Sequence, residues 1–168
     1  MFGEKYNEIR LAAYKSASSS PLLMALEFIV SGEIKKNKSI ELEFLLNLSR
    51  HLNWKPNADL NKIKQAYMAV VVTDIDKNIV WVNGYFETMT GYSKDEVLYK
   101  NPKFLQGKAT DTLTLHNIRK KINGQKKFKG TLINYKKNGD EYRCNVDIQP
   151  IFDNHGNHTH YIAFETDR

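Results

Sequence analysis

The dipeptide Asn138-Gly139 constrains this chain more than any other feature. Asn-Gly tolerates the backbone angles of a tight reversal, and alternating runs flank it, Lys129 to Lys136 and Glu141 to Gln149. That combination specifies an antiparallel hairpin. In its second arm Tyr142, Cys144, Val146 and Ile148 share one apolar side, and Arg143, Asn145, Asp147 and Gln149 share the polar one. Asp153-Asn154-His155-Gly156 turns the chain into a further strand, Thr159 to Thr166. Two earlier runs, Ala69-Val-Val-Val-Thr-Asp74 and Ile79-Val-Trp-Val-Asn83, also read as strands.

Between these two groups the pattern is helical. Phe86 to Leu98 is a helix, with Ser93-Lys94-Asp95-Glu96 as a capping box for its second part. Asn101 to Gly107 reads as a short irregular or helical turn. Leu113 to Ile122 is a helix that Asn123-Gly124 ends. The fold class is therefore α+β, with a five-stranded antiparallel sheet over residues 69–168 and short helices against one face.

Residues 1–68 read as a helical extension. Ser20-Pro21 starts one helix, with proline at the first turn. Ser39 caps a second, rich in leucine from Ile40 to Leu48, and Asn53-Trp54-Lys55-Pro56-Asn57 breaks it. Asp59 then caps a shorter one carrying Leu60, Ile63, Ala66 and Tyr67. These faces are more apolar than one short helix can bury, which predicts a capping or dimerising role and a homodimer through these helices and the sheet.

Composition removes several alternatives. Hydrophobic residues make up 41% of the 168 and charged ones 26%, enough for a core without staples. The one cysteine, Cys144, excludes an internal disulfide and a multi-cysteine metal site. The apolar run Pro21 to Val30 is too short to span a bilayer and contains Glu27, and the first residues show no signal-peptide pattern. A cytoplasmic protein with no membrane contact is expected. The net charge of +6 is concentrated between Arg119 and Lys137. With no recognition motif beside it, that stretch reads as solvated surface rather than a nucleic-acid site.

His155, His158 and His160 lie around a turn and into a strand, and read as solvated loop residues rather than metal ligands. No catalytic residue stands out, and no kinase, cyclase or phosphodiesterase motif is present. Any output is by contact with a downstream signalling protein that the sequence does not identify.

From Ala69 to Asp167 the ordered set VVTD, IVWVN, MTGYSKDEV, KNGDEY, QPIFDNHG and HYIAFETD resembles the PAS superfamily. Asn101-Pro102-Lys103-Phe104-Leu105-Gln106-Gly107 is similar to the N-C-R-F-L-Q-G signature of its LOV photoreceptor branch. Arg119 falls at the spacing of that branch's second phosphate-binding arginine, and Leu132-Ile133-Asn134-Tyr135 matches a flavin-facing strand. The resemblance implies a sensory module with a flavin: FMN, with FAD or no ligand as alternatives. It places Asn101 and Gln106 near the ribityl chain, Lys103 and Arg119 at a phosphate, and Leu105 on the ring. Thr73 would lie at the ring's edge, Asn134 at its pyrimidine end, and Ile148 on the same pocket wall.

The departures from that pattern shape the chemistry. Pro102 stands where LOV domains carry the light-reactive cysteine, and proline forms no thiol adduct. Lys103 replaces an arginine and loses its bidentate fork. Cys144 stands for a second pyrimidine-contacting asparagine, and losing that amide removes about 0.5–1.5 kcal/mol per hydrogen bond. Its inward direction reads as an inert buried thiol. Glu165 replaces a glutamine beside the ring. An amide donates and accepts, whereas a carboxylate only accepts, so Glu165 would contact an oxidised ring only when it carries a proton. The sequence is also similar to the proline-containing PAS group of bacterial signalling proteins. There Pro102 is ordinary, Glu165 faces solvent, and the domain is a ligand-free interaction and dimerisation module.

Overall fold

A computed structural model describes residues 38–55, 60–64 and 67–167. The helix start expected at Ser20-Pro21 and the cap at Asp59 lie outside the described residues.

Five strands form one antiparallel sheet: β1 (Ala69–Asp74), β2 (Ile79–Val82), β3 (Phe128–Tyr135), β4 (Glu141–Phe152) and β5 (His158–Asp167). Their spatial order is β2-β1-β5-β4-β3, so the first and last strands meet at the centre. β1 is valine-rich because both its faces are covered: Val70, Val71 and Val72 are all buried. Its register with β5 is unbroken from Ala69↔Glu165 to Asp74↔His160.

The expected hairpin is present, with β3 paired to β4 from Phe128↔Ile148 to Tyr135↔Glu141. Its connection is longer than the dipeptide alone. Gly139 N–H donates to Lys136 O (2.9 Å), and Lys136 N–H donates to Asp140 O (2.8 Å). Gly139 alone takes a positive φ there, of 91°, the αL position that follows a type I turn in longer hairpin loops.

Helices α2 (Gly84–Thr90), α3 (Lys94–Val97) and α4 (Thr112–Asn123) pack on one face of the sheet, as does a 3-10 turn over Pro102–Leu105. The helical stretch expected from Phe86 to Leu98 is present in two parts. Gly91 ends α2 at φ 78°, and the predicted capping box of Ser93 and Glu96 then starts α3. Asn83 joins the layers. Its Oδ1 accepts from Val70 N–H (2.9 Å) and Phe86 N–H (3.3 Å), and its Nδ2 donates to Met68 O (2.9 Å). One fully buried amide thus caps α2 and fixes the entry to β1.

The opposite face is covered by the N-terminal extension. Helix α1 (Lys38–His51), the Trp54 segment after it and a 3-10 turn (Leu60–Lys64) seat Leu42, Leu45, Trp54 and Ile63 against Val70, Val72, Ile151, Ile162 and Phe164. Polar contacts tie this layer down. Glu41 accepts from Gly84 N–H (2.5 Å), and Lys62 pairs with Asp147 (2.7 Å) above the Phe164 ring. The polar side of β4 is consequently not solvent-facing throughout, since Gln149 is buried beneath the extension.

His160 requires a correction. It is not a solvated loop residue but a buried one, 5% exposed, and Trp54 Nε1–H donates to its Nδ1 (3.2 Å). The indole nitrogen is a donor only, so Nδ1 must be unprotonated for this bond to exist. Burial, with a smaller contribution from His158, holds the imidazole down at about 4.

Two outcomes follow. Leu45→Ala is expected to cost about 2–5 kcal/mol in a denaturant titration, since Leu45 is fully buried between α1 and the sheet. In acid, the unfolded chain binds a proton at His160 before the folded chain does. Stability is therefore complete above about pH 6.5 and lost as pH falls towards about 4, on the order of 3 kcal/mol from this residue. Comparing the pH dependence of unfolding in wild type and His160→Gln measures that difference.

Candidate functional site

Between the sheet and the α2–α4 layer lies a cavity of about 270 Å³, near the lower end of the ~300–1,000 Å³ typical of ligand pockets. Strand alternation builds its floor. Val71 and Thr73 of β1, Tyr161, Ala163 and Glu165 of β5, Val146 and Ile148 of β4, and Leu132 and Asn134 of β3 face the same way. The roof is the 3-10 turn, with Asn101, Pro102, Lys103, Leu105 and Gln106, together with Leu115, Ile118, Arg119 and Ile122 from one side of α4.

Local chemistry holds the roof in place. Asn101 Oδ1 accepts from Lys103 N–H (3.2 Å) and caps the turn, with Pro102 at its first position. Leu105 is buried against the core. Thr110 Oγ1 donates to Ile133 O (2.6 Å) and accepts from Gly107 N–H (2.9 Å), fastening the end of the turn to β3. Asp111 caps α4 through Thr114 N–H (2.6 Å). At the other end of α4, Tyr161 Oη donates to Ile122 O (2.9 Å).

Ten of the eleven residues singled out from the sequence line this cavity: Thr73, Asn101, Pro102, Lys103, Leu105, Gln106, Arg119, Asn134, Ile148 and Glu165. Cys144 does not. It is fully buried, paired across the strands with Leu132 and Asp167, and sits in the packed core beside the cavity. A side chain with the reach of asparagine would extend further than a thiol, which leaves Cys144 behind the wall. Lys77 and Tyr161 line the cavity and were not singled out. Alternation along β5, counted back from Glu165, points to Tyr161, whereas nothing local marks Lys77, which takes φ 69° in the β1–β2 turn.

The cavity is apolar with a few sharply placed polar atoms. Asn134 Oδ1 and Glu165 Oε2 are buried without a hydrogen-bond partner, as is Tyr142 Oη on the strand next to Asn134. Burial of the carboxyl pushes Glu165 up to about 7, and a hydrogen bond from the Cys144 thiol acts in the opposite direction. Burial, followed by the nearby Glu165 carboxyl, pushes the Cys144 thiol far above its ordinary range. Three cations line the cavity: Lys77, Lys103 and Arg119, the last two solvent-exposed. Such a slot takes a flat apolar group with polar edges and an anionic tail reaching solvent.

An antiparallel sheet with a helical roof on one face, enclosing a small cavity, is the architecture of a sensory signalling domain. The PAS domain family matches residues 67–168, and this chain belongs to that family. The "Blue-light photoreceptor" of Listeria monocytogenes is 35% identical over 111 residues, which cover 64% of this chain and 44% of that protein. The "Nitrogen fixation regulatory protein" of Klebsiella oxytoca is 30% identical over 112 residues, covering 67% and 23%. A light-oxygen-voltage domain solved in work on a flavin analogue superimposes with a TM-score of 0.61 at 28% identity, covering 65% of this chain and 83% of that one. These relatives and neighbours place the domain in the LOV-like branch. The chain spans under half the length of both curated relatives.

The thiol environment yields a direct expectation. Cys144 is protonated and fully buried, so an aromatic disulfide reagent is expected to modify it only as fast as the chain unfolds. Thiol release that jumps to the free-cysteine rate across the denaturant transition supports this placement.

Proposed function

We propose that this chain is a sensory domain that holds a flavin in the cavity and responds to redox state or light without forming a cysteinyl adduct. The observation that carries the reading is the pair of unpartnered atoms, Asn134 Oδ1 and Glu165 Oε2, on the wall of an otherwise apolar slot. Buried polar atoms left unpaired cost about 1–3 kcal/mol each. A ring with complementary edge groups removes that cost. Val71, Leu105, Leu132 and Ile148 suit the faces of a conjugated ring, and Lys103 and Arg119 suit a phosphate tail, with Lys77 as a third cation. FMN is the form proposed, with FAD as its alternative.

A bound flavin supplies absorption of blue light and reversible uptake of electrons. The chain binds the ring, orients its edge and shields it from solvent. Pro102, in the roof, has no thiol, and Cys144, the chain's one cysteine, lies outside the cavity lining, which argues against thiol attack on a ring there. The Listeria photoreceptor and the Klebsiella regulator support input sensing as the class of function.

The same central strands that form the cavity floor carry the N-terminal layer on their other face. We therefore place the output in that layer, read by contact in the cytoplasm, either by a downstream protein or by a second copy through residues before Met68. Light scattering on the full chain tests the dimer, and a monomer at micromolar concentration rejects it.

Incubated with FMN, the purified chain is expected to show the structured visible absorption of a bound oxidised flavin and quenched flavin emission. Cys144→Ala is expected to keep both, together with the photochemical or redox response. A folded chain that takes up neither FMN nor FAD overturns the flavin reading in favour of a ligand-free interaction module.

A further inference from the structure

The geometry points to Glu165 as a proton-bearing hydrogen-bond donor in the cavity wall, so that the cavity holds a ring presenting an acceptor atom and releases it when Glu165 ionises. This rests on the flavin reading and adds the residue that decides which state of the site binds.

Position comes first. Glu165 sits mid-sheet, opposite Ala69 of β1 on one side and Val146 of β4 on the other, and is 8% exposed. The Cys144 thiol lies beside the carboxyl and lowers its proton affinity, while Oε2 has no hydrogen-bond partner. Among the described residues no ion pair includes Glu165.

The neighbouring groups leave the proton in place. From β4, Cys144 and Tyr142 are both held protonated by burial. From β5, Asp167 is engaged elsewhere, with Lys136 (3.7 Å) and Tyr85 (3.2 Å). β3 contributes the neutral Asn134, and β1 presents Ala69. Lys77, Lys103 and Arg119 line the cavity without pairing with the carboxyl. Burial with no compensating cation favours the neutral acid.

A neutral acid donates through its O–H, whereas a carboxylate only accepts. Apart from its N3–H, the edge of an oxidised flavin offers acceptors: the ring nitrogens N1 and N5 and two carbonyl oxygens. Against the acid they make a hydrogen bond; against the carboxylate, lone pairs oppose lone pairs in a low-dielectric site. Cys144 is a positioning residue here, because its S–H stabilises the ionised form and so sets where the switch falls.

Riboflavin is the probe, because it lacks the phosphate whose own ionisation near pH 6 would confuse the profile. Its binding to the full chain is measured by emission quenching between pH 6 and 9. Affinity is expected to hold up to about pH 7 and to weaken about 100-fold by pH 9, as the competent fraction falls. Glu165→Gln is expected to flatten the profile, and Cys144→Ala to move its midpoint to higher pH. Carbon-13 NMR of the Glu165 carboxyl in flavin-free protein is expected to titrate near 7. A pH-independent wild-type affinity, or a carboxyl titrating near the ordinary value of about 4.3, overturns the inference. No riboflavin binding at any pH overturns the flavin reading together with it, whereas pH-independent binding overturns this inference alone. If Glu165→Gln does not fold, the wild-type profile and the NMR titration decide.

Discussion

The pairing of β1 with β5 is the contact on which the rest of the structure depends. The two strands lie at opposite ends of the domain's sequence and at the centre of its sheet, in continuous register over six residue pairs. Because successive side chains point to opposite faces, this one ladder serves two compartments. Val71, Thr73, Ala163 and Glu165 face the cavity, and Val70, Val72, Ile162 and Phe164 face the N-terminal layer. A slip of one residue would exchange the two sets and place Glu165 beneath α1. The valine run by itself tolerates such a slip, since either face of β1 can be buried; only the observed register puts the Glu165 carboxyl in the cavity.

The N-terminal layer follows from the same constraint. A sheet whose outward face carries Ile151, Ile162 and Phe164 exposes apolar surface unless something covers it. Helix α1, the Trp54 segment and the turn at Ile63 cover it within the chain. Beyond α1, Lys55 N–H donates to Phe152 O (2.7 Å) and Asn154 N–H to Asn53 O (2.9 Å), so the extension is stitched to the β4–β5 turn. The sheet face expected in a dimer interface is thus occupied by residues of the same chain. Cavity and N-terminal layer become opposite sides of one wall shared by β1, β5 and β4, with rigid packing between them.

The chemistry of the cavity is set by removal as much as by addition. Proline at 102 begins a capped 3-10 turn that fixes the roof, and it offers no nucleophile there. Cysteine at 144 stops short of the cavity lining and lies beside the Glu165 carboxyl. Each substitution is small alone. Together they leave a wall with no thiol in its lining and a buried carboxyl whose proton affinity is raised.

Sequence alone determined the succession of strands and helices along the chain, the hairpin at Asn138-Gly139, the capping box at Ser93, and the inward direction of Cys144, Val146 and Ile148. These depend on local backbone preference and on a period of two, both written in neighbouring residues. Tertiary structure decided the rest. His160 read as a solvated residue until Trp54, 106 positions away, was seen donating to it. Asn83 looked like the end of a strand until its amide joined β1 to α2. Lys77 joined the cavity because the β1–β2 turn folds over it, and Cys144 left the cavity because side-chain length, not direction, decides what reaches a ligand. Burial, and with it the raised proton affinity of Glu165, exists only once residues distant in the chain have closed around the group.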